Sequence, residues 1–320
     1  MSELVPAENH PPINNRFNSI VRNGFGGVLR QLFLSREQRV ESGEFIVFTD
    51  HSLLSVFSFM NILIIADVVA RPGRLAVLDQ IKSLRDEYKI DIALMNGENV
   101  AGGFSITPAL ADELFAAGFD VMTSGNHIFD KQEIIPYLEK NSRLVRPANY
   151  PPGTPGSGLF VGEISGHKIA VLNLLGRVFM PPNTDDPFRT AKEKIELIPD
   201  DVKIRLVDFH AEATSEKYAM GWYLNGKVSA VYGSHTHVPT ADERIFDGGT
   251  AYITDVGMTG SYDGVIGMDK FDILERFTRF PAKRAGHAKS DVWICAIVIE
   301  VDEATGKAKN IKRLRLEYKS

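Results

Sequence analysis

From residue 61 onward, short continuous apolar runs alternate with stretches whose apolar residues recur at helical spacing. The runs Ile62-Leu63-Ile64-Ile65-Ala66, Ile92-Ala93-Leu94-Met95, Phe119 to Ser124, Leu206-Val207 and Val228 to Gly233 read as strands buried on both faces, which lose the usual polar alternation. After the first, Arg71-Pro72-Gly73-Arg74 reads as a loop, and Leu78, Ile81, Leu84 and Tyr88 as the apolar stripe of a helix. Thr107-Pro108 predicts a helix start, a hydroxyl cap followed by proline at the first position, and Gly118 predicts its end, with Leu110, Leu114 and Phe115 buried between them. Another helix is expected from near Asp130. Strand and helix alternating at these intervals indicate an α/β sheet with parallel order in this half.

The middle of the chain changes character. Pro147, Pro151, Pro152, Pro155 and the glycines at 153, 156, 158 and 162 surround the approach to a predicted hairpin, pairing 159–164 with 168–174 around Ser165-Gly166. Segments 250–256, 291–301 and 311–316 read as later strands, expected to form a second sheet packed on the first. Residues 1–59 have weak periodicity and no secretory pattern, so a poorly ordered N-terminal extension is expected ahead of a domain at 60–320. Phe45 to Phe48 and Leu53 to Phe59 are apolar enough for a short element, and a translation start at Met60 is an alternative.

Composition narrows the partners. With 44% hydrophobic residues, 320 residues suffice for a large buried core. A net charge of -5 argues against long nucleic acid, which needs a basic excess to displace counterions, and leaves a small phosphorylated molecule open. The single cysteine, Cys295, excludes an internal disulfide; flanked by Trp293, Ile294, Ala296 and Ile297, it reads as a buried strand residue in a reducing, cytoplasmic setting. No run is long enough to span a membrane.

The residues that end the runs carry the chemistry. Asp67, Glu98-Asn99, Asn126-His127, His210 and His235-Thr236-His237 each follow an apolar run, and ligands of open α/β sheets gather outside the strands' carboxyl ends. Oxygen and nitrogen donors without thiolate suit Mn, Fe or Zn, and Asp67, Glu98, Asn99, Asn126, His210, His235 and His237 are too many for one ion. Two ions sharing a carboxylate are the natural arrangement, and such pairs activate a water and clamp the oxygens of an in-line phosphoryl displacement. Taken singly, each residue has a plainer reading. Gly125-Asn126 makes a good turn, Asp67 a helix cap, Glu98-Asn99 loop residues beside Gly102-Gly103, and a lone histidine a satisfied core or surface residue. Repetition over five strand ends favours ligation, most strongly for His235 and His237, whose alternation in an extended chain points both imidazoles the same way. His10, His51, His167 and His287 follow no such run and are given no role. Arg177, in the loop from Gly176 to Pro182, is a candidate phosphate contact, with solvent as its plainer partner.

These segments resemble the five motif blocks of the calcineurin-like metallophosphoesterases. The likeness is closer to one branch, the YmdB-like family, through Asn96 to Gly103, Arg146 to Pro151, Gly176 to Met180, Asp208 to Glu216 and Thr254 to Gly260, and it spans residues 61–300. It implies an αββα sandwich of two mixed sheets flanked by helices, a di-metal site, and hydrolysis of a small phosphoester such as 2',3'-cyclic AMP. By the same likeness Asp67, Glu98, Asn99 and His237 hold one ion and Glu98, Asn126, His210 and His235 the other, with Glu98 bridging. Val69 and Glu98 stand where the wider superfamily has histidine and aspartate, so the metal's identity, iron and manganese among the candidates, does not carry over. Ala66 and Phe129 replace the branch's usual glycine and tryptophan without touching a ligand.

The expected reaction is attack on phosphorus by hydroxide generated at the ion pair, with Arg177 a candidate for stabilising charge. His127, held beside the site by its neighbour Asn126, is expected to donate the proton to the leaving oxygen, and Asp130 is a candidate to orient its ring. A phosphoprotein phosphatase and a nucleotide-sensing regulatory protein are the alternatives. The expected partner is the small phosphoester, with oligomerisation open and no membrane.

Overall fold

The computed structural model describes residues 59–319 except 282 and 283. The expectations for the N-terminal segment fall outside the described residues, apart from Phe59, which opens the first strand.

Two mixed sheets form the centre. The first joins β1 (Phe59–Ile65), β2 (Asp67–Val68), β3 (Ile92–Asn96), β4 (Val121–Thr123), β11 (Met258–Ser261), β14 (Val292–Asp302) and β15 (Ala308–Tyr318). The second joins β5 (Leu159–Ile164), β6 (His167–Leu175), β7 (Ile204–His210), β8 (Ala230–Ser234), β9 (Arg244–Ile245) and β10 (Ala251–Ile253), and β12 (Gly264–Val265) pairs with β13 (Met268–Asp269) in a separate ribbon. β1, β3 and β4 are parallel, as are β6, β7, β8 and β10, so two sets of strands deliver their carboxyl ends in common directions. The predicted hairpin is β5 with β6, Ile164 lying opposite His167.

Neighbouring residues of β1 enter different layers. Ile62 and Ile64 pack between the sheets with Val171, Leu206, Tyr232, Ile253 and Ile297, whereas Leu63 and Ile65 pack with Val77, Ile81 and Leu114. These last belong to α1 (Ala70–Tyr88) and α2 (Pro108–Ala117), which with α3 (Ile135–Lys140) cover the first sheet. Ala191 and Ile195 of α4 (Pro187–Glu196) and Met220 and Leu224 of α5 (Thr214–Leu224) cover the second. α6 (Lys270–Thr278) follows β13. The layers are therefore αββα, and the unbroken apolar runs follow from burial on both faces.

Three expectations change. Segments 291–301 and 311–316 do not build the second sheet; as β14 and β15 they return to the first, β14 running antiparallel along β1, and of the three segments only 250–256 contributes to the second sheet, as β10. The hairpin in the middle of the chain founds that sheet, and no local pattern in β14 identifies β1 as its partner. Arg71 to Arg74 is the first turn of α1 rather than a loop. Proline is tolerated there because its missing N–H has no intrahelical partner, and Gly73 is needed because a Cβ would lie 2.1 Å from the Thr259 carbonyl oxygen. The helix expected near Asp130 begins only at Ile135, after a 3-10 turn over Gln132–Ile134. The Thr107 cap holds as predicted, its hydroxyl accepting from the Leu110 N–H at 3.3 Å, and Gly118 closes that helix at φ 117°.

Candidate metal centre

Strand ends of both sheets meet at one point. His210 Nε2, at the end of β7, lies 3.0 Å from Glu98 Oε1, 3.2 Å from Asn126 Oδ1 and 3.1 Å from His235 Nδ1. Asp67 Oδ1 is 3.9 Å from His210 Nδ1, and Asp67 Oδ2 accepts the His235 backbone N–H at 3.1 Å. On the flank, Asn99 Nδ2 lies 3.2 Å from both Glu98 Oε1 and His237 Nε2. All seven side chains singled out in the sequence thus converge. Gly125 makes the approach feasible, since a Cβ there would sit 2.3 Å from Glu98 Oε2 and from His210 Nε2.

Each imidazole has its second nitrogen tied. His210 Nδ1 meets Ser234 Oγ at 2.9 Å, His235 Nε2 meets Glu212 Oε2 at 3.1 Å, and His237 Nδ1 meets the Ile266 carbonyl at 3.1 Å. The tethers fix tautomers that leave His210 Nε2, His235 Nδ1 and His237 Nε2 as the nitrogens turned to the centre. The two C-terminal imidazoles do not arrive by strand alternation as expected. β8 stops at Ser234, and His235 and His237 adopt φ 98° and 62°, left-handed values that non-glycine residues hold only when their surroundings enforce them.

That enforcement comes from residues the sequence reading missed. Buried Lys217 on α5 donates to Asp255 Oδ2 at 2.5 Å and to the Ser234 carbonyl at 2.7 Å. Asp255 also accepts the Thr236 N–H at 3.2 Å and the Gly257 N–H at 2.8 Å, so one ion pair clamps both flanks of the histidine turn. Beneath His210, Ser234 Oγ donates to Asp208 Oδ1 at 2.6 Å, and Asp208 takes further bonds from Thr123 and Asn96. Two signals were present. Asp255 follows the apolar run Ala251–Ile253 as the other donors follow theirs, and Asp208 shares a strand face with His210.

The electrostatics suit cations. Burial raises the Asp67 carboxyl well above the carboxylate range, against the pull of His210. Glu98 is equally buried, yet the charge and hydrogen bond of His210 hold it at about 2. Burial would depress His210, but Glu98, Asp67 and Asp208 around it raise it to about 9. Burial and the charge of His210 push His235 down to about 3, and burial lowers His237 also, which favours their neutral, ligand-ready forms. Asp67 Oδ1 is buried without a hydrogen-bond donor, while Glu98, His210 and His235 each bring one donor atom within 4.8 Å of the others. A buried carboxyl oxygen with no partner is costly, and a cation here would both satisfy it and favour its ionised form, so the residues present fit metal ions.

The remaining candidates lie around this cluster or away from it. His127 donates its backbone N–H to Glu98 Oε2 at 3.2 Å, and its Nδ1 lies 2.7 Å from Asp130 Oδ2. Arg177 is exposed and lines a cavity of about 400 Å³ with Met180, Asn183 and Phe188, a wall to which none of the seven donors contributes. His167 pairs with Glu303 at 2.8 Å, and His287 packs against Gly103; neither joins the cluster. His10 and His51 lie outside the described residues. Cys295 is buried in β14, and burial raises its thiol.

Residues 63–314 match the family model of the YmdB-like protein. A 2',3'-cyclic-nucleotide 2'-phosphodiesterase of Bacillus subtilis (strain 168) is 47% identical over 255 residues, which cover 80% of this chain and 96% of that one. The crystal structure of a hypothetical protein from Thermus thermophilus matches with a TM-score of 0.75 at 40% identity, over 81% of this chain and 100% of that one. A novel phosphatase from Mycoplasma pneumoniae matches with a TM-score of 0.77 at 32% identity, over 82% and 94%. The fold, the convergence of strand-end donors and these matches lead to one conclusion: the chain belongs to the YmdB-like protein family.

Proposed function

We propose that residues 60–320 form a di-metal phosphodiesterase that hydrolyses a 2',3'-cyclic nucleotide, 2',3'-cyclic AMP among them, in the cytoplasm. The observation that carries this reading is the meeting of seven oxygen and nitrogen donors with every imidazole tethered through its other nitrogen. Asp67, Glu98, Asn99 and His237 would hold one ion, and Glu98, Asn126, His210 and His235 the other. When bound, the ions supply Lewis acidity, lowering the pKa of a water and neutralising charge on phosphoryl oxygens. His127 gives the leaving oxygen its proton from Nε2, because Asp130 engages Nδ1 and fixes the ring. The Phe104 ring meets the His127 ring edge-on at 5.0 Å and restricts it from another side. Placement in the cytoplasm rests on the single buried Cys295; among the described residues, no helix is long and apolar enough to cross a membrane.

Initial rates of metal-loaded protein on 2',3'-cyclic AMP, a phosphopeptide and an aryl phosphodiester test the reading. The cyclic nucleotide is expected to be turned over with the highest kcat/KM. Faster phosphopeptide hydrolysis would make the chain a phosphoprotein phosphatase, and tight nucleotide binding without hydrolysis would make it a sensor.

A further inference from the structure

A second cavity, of about 550 Å³, is lined by none of the seven donors but in part by residues that touch His127. Phe104, Asp130, Lys131, Met268, Arg276 and Arg284 line it. Two of these residues also touch the proposed acid: Asp130 Oδ2 lies 2.7 Å from His127 Nδ1, and the Phe104 ring packs against the His127 ring. The cavity and the reaction site therefore share a wall. The Arg284 guanidinium lies 5.9 Å from the Phe104 ring centroid, at the outer limit of a cation–π contact.

Charge identifies the occupant. Among the described residues, no carboxylate pairs with Lys131, Arg276 or Arg284, whereas Arg85, Lys168, Lys270 and Arg313 elsewhere each have one. Asp130, the one carboxylate in this wall, is engaged by His127. Three cations lining one concavity make a positive patch on a chain with net charge -5, and such a patch attracts an anion. None of the seven donors lines the cavity, so the phosphate undergoing hydrolysis is not that anion.

We propose that this cavity binds a second phosphate, carried on the 5' side of the nucleoside whose cyclic phosphate is opened. The inference rests on the phosphodiesterase reading and adds a preference to it: 2',3'-cyclic AMP remains a substrate, and 2',3'-cyclic nucleotides that also carry charge on the 5' side of the ribose bind more tightly. That charge is either a terminal 5'-phosphate or the internucleotide phosphate of a short RNA end.

The test is equilibrium binding to metal-loaded protein of adenosine 3'-phosphate, adenosine 3',5'-bisphosphate and the 3'-phosphorylated dinucleotide ApAp, with cyclic-nucleotide turnover scored separately. The bisphosphate is expected to bind at least tenfold more tightly than the monophosphate. In the Arg276→Ala/Arg284→Ala double variant that preference falls below twofold, while monophosphate affinity and the unfolding midpoint stay unchanged. A matching gain for ApAp identifies an RNA end, and its absence a terminal phosphate. Equal affinities in the parent protein, or a preference that survives the double substitution, overturn the proposal. Failure to hydrolyse any cyclic nucleotide would instead overturn the phosphodiesterase reading.

Discussion

At the scale of single residues, the division of labour between Asn126 and His127 is open to direct test. Asn126 Oδ1 faces His210 in the cluster, while the His127 ring faces Asp130 and Phe104. His127→Ala is therefore expected to keep its metal content and lose about 10²–10⁴-fold in kcat. Undiminished turnover in that variant would remove His127 from the mechanism. Gly125→Ala should do the opposite: its Cβ would press on Glu98 and His210, so metal content falls while far-ultraviolet circular dichroism stays native. The donors themselves were legible in the sequence because each breaks an apolar run at its carboxyl end. Their tethers were not. Ser234 and Glu212 lie next to His235 and near His210 in the chain, yet nothing in the sequence says which ring nitrogen each would face.

At the scale of elements, the turn after β8 concentrates the strain. Two histidines hold left-handed backbone there, and the clamp that steadies them is a lysine–aspartate pair with both side chains 1% exposed. Removing one partner leaves the other charged and buried, so Lys217→Ala is expected to cost about 3–5 kcal/mol in denaturant-induced unfolding. A loss below about 1 kcal/mol would show that the pair does not carry this turn. The sequence pattern predicted that both imidazoles reach one site but gave the wrong geometry for it, because the pattern carries no sign of φ. The start of α1 was misplaced for a similar reason: Pro72-Gly73 is local punctuation for a loop, but Gly73 answers to a carbonyl far along the chain, on Thr259.

At the scale of the whole molecule, the centre exists because the ends of two sheets meet. The family likeness gave the layer order, and the apolar runs marked β1, β3, β4, β7 and β8 without showing that β6 and β10 run parallel beside the last two. Which sheet receives β14 and β15 depends on pairing across more than half the chain, to which periodicity is blind.

The same junction gives the metal-free protein a pH signature. His210, raised to about 9 from its ordinary 6.5, contributes stability that is complete below pH 6.5 and lost as pH rises through 9. Glu98, lowered to about 2 from 4.5, contributes above pH 4.5 and loses that contribution only as pH falls through 2. The thermal midpoint of metal-stripped protein should therefore decline between pH 6.5 and 9, and a flat midpoint there would contradict a protonated His210. Metal loading must expel that proton, so apparent affinity should rise over the same interval.

The most direct test of the whole account is a titration of metal-stripped protein with Mn²⁺ while turnover of 2',3'-cyclic AMP is followed. Activity absent at the start and saturating at two ions per chain is the predicted result. Saturation at one ion, or full activity before any is added, would contradict it.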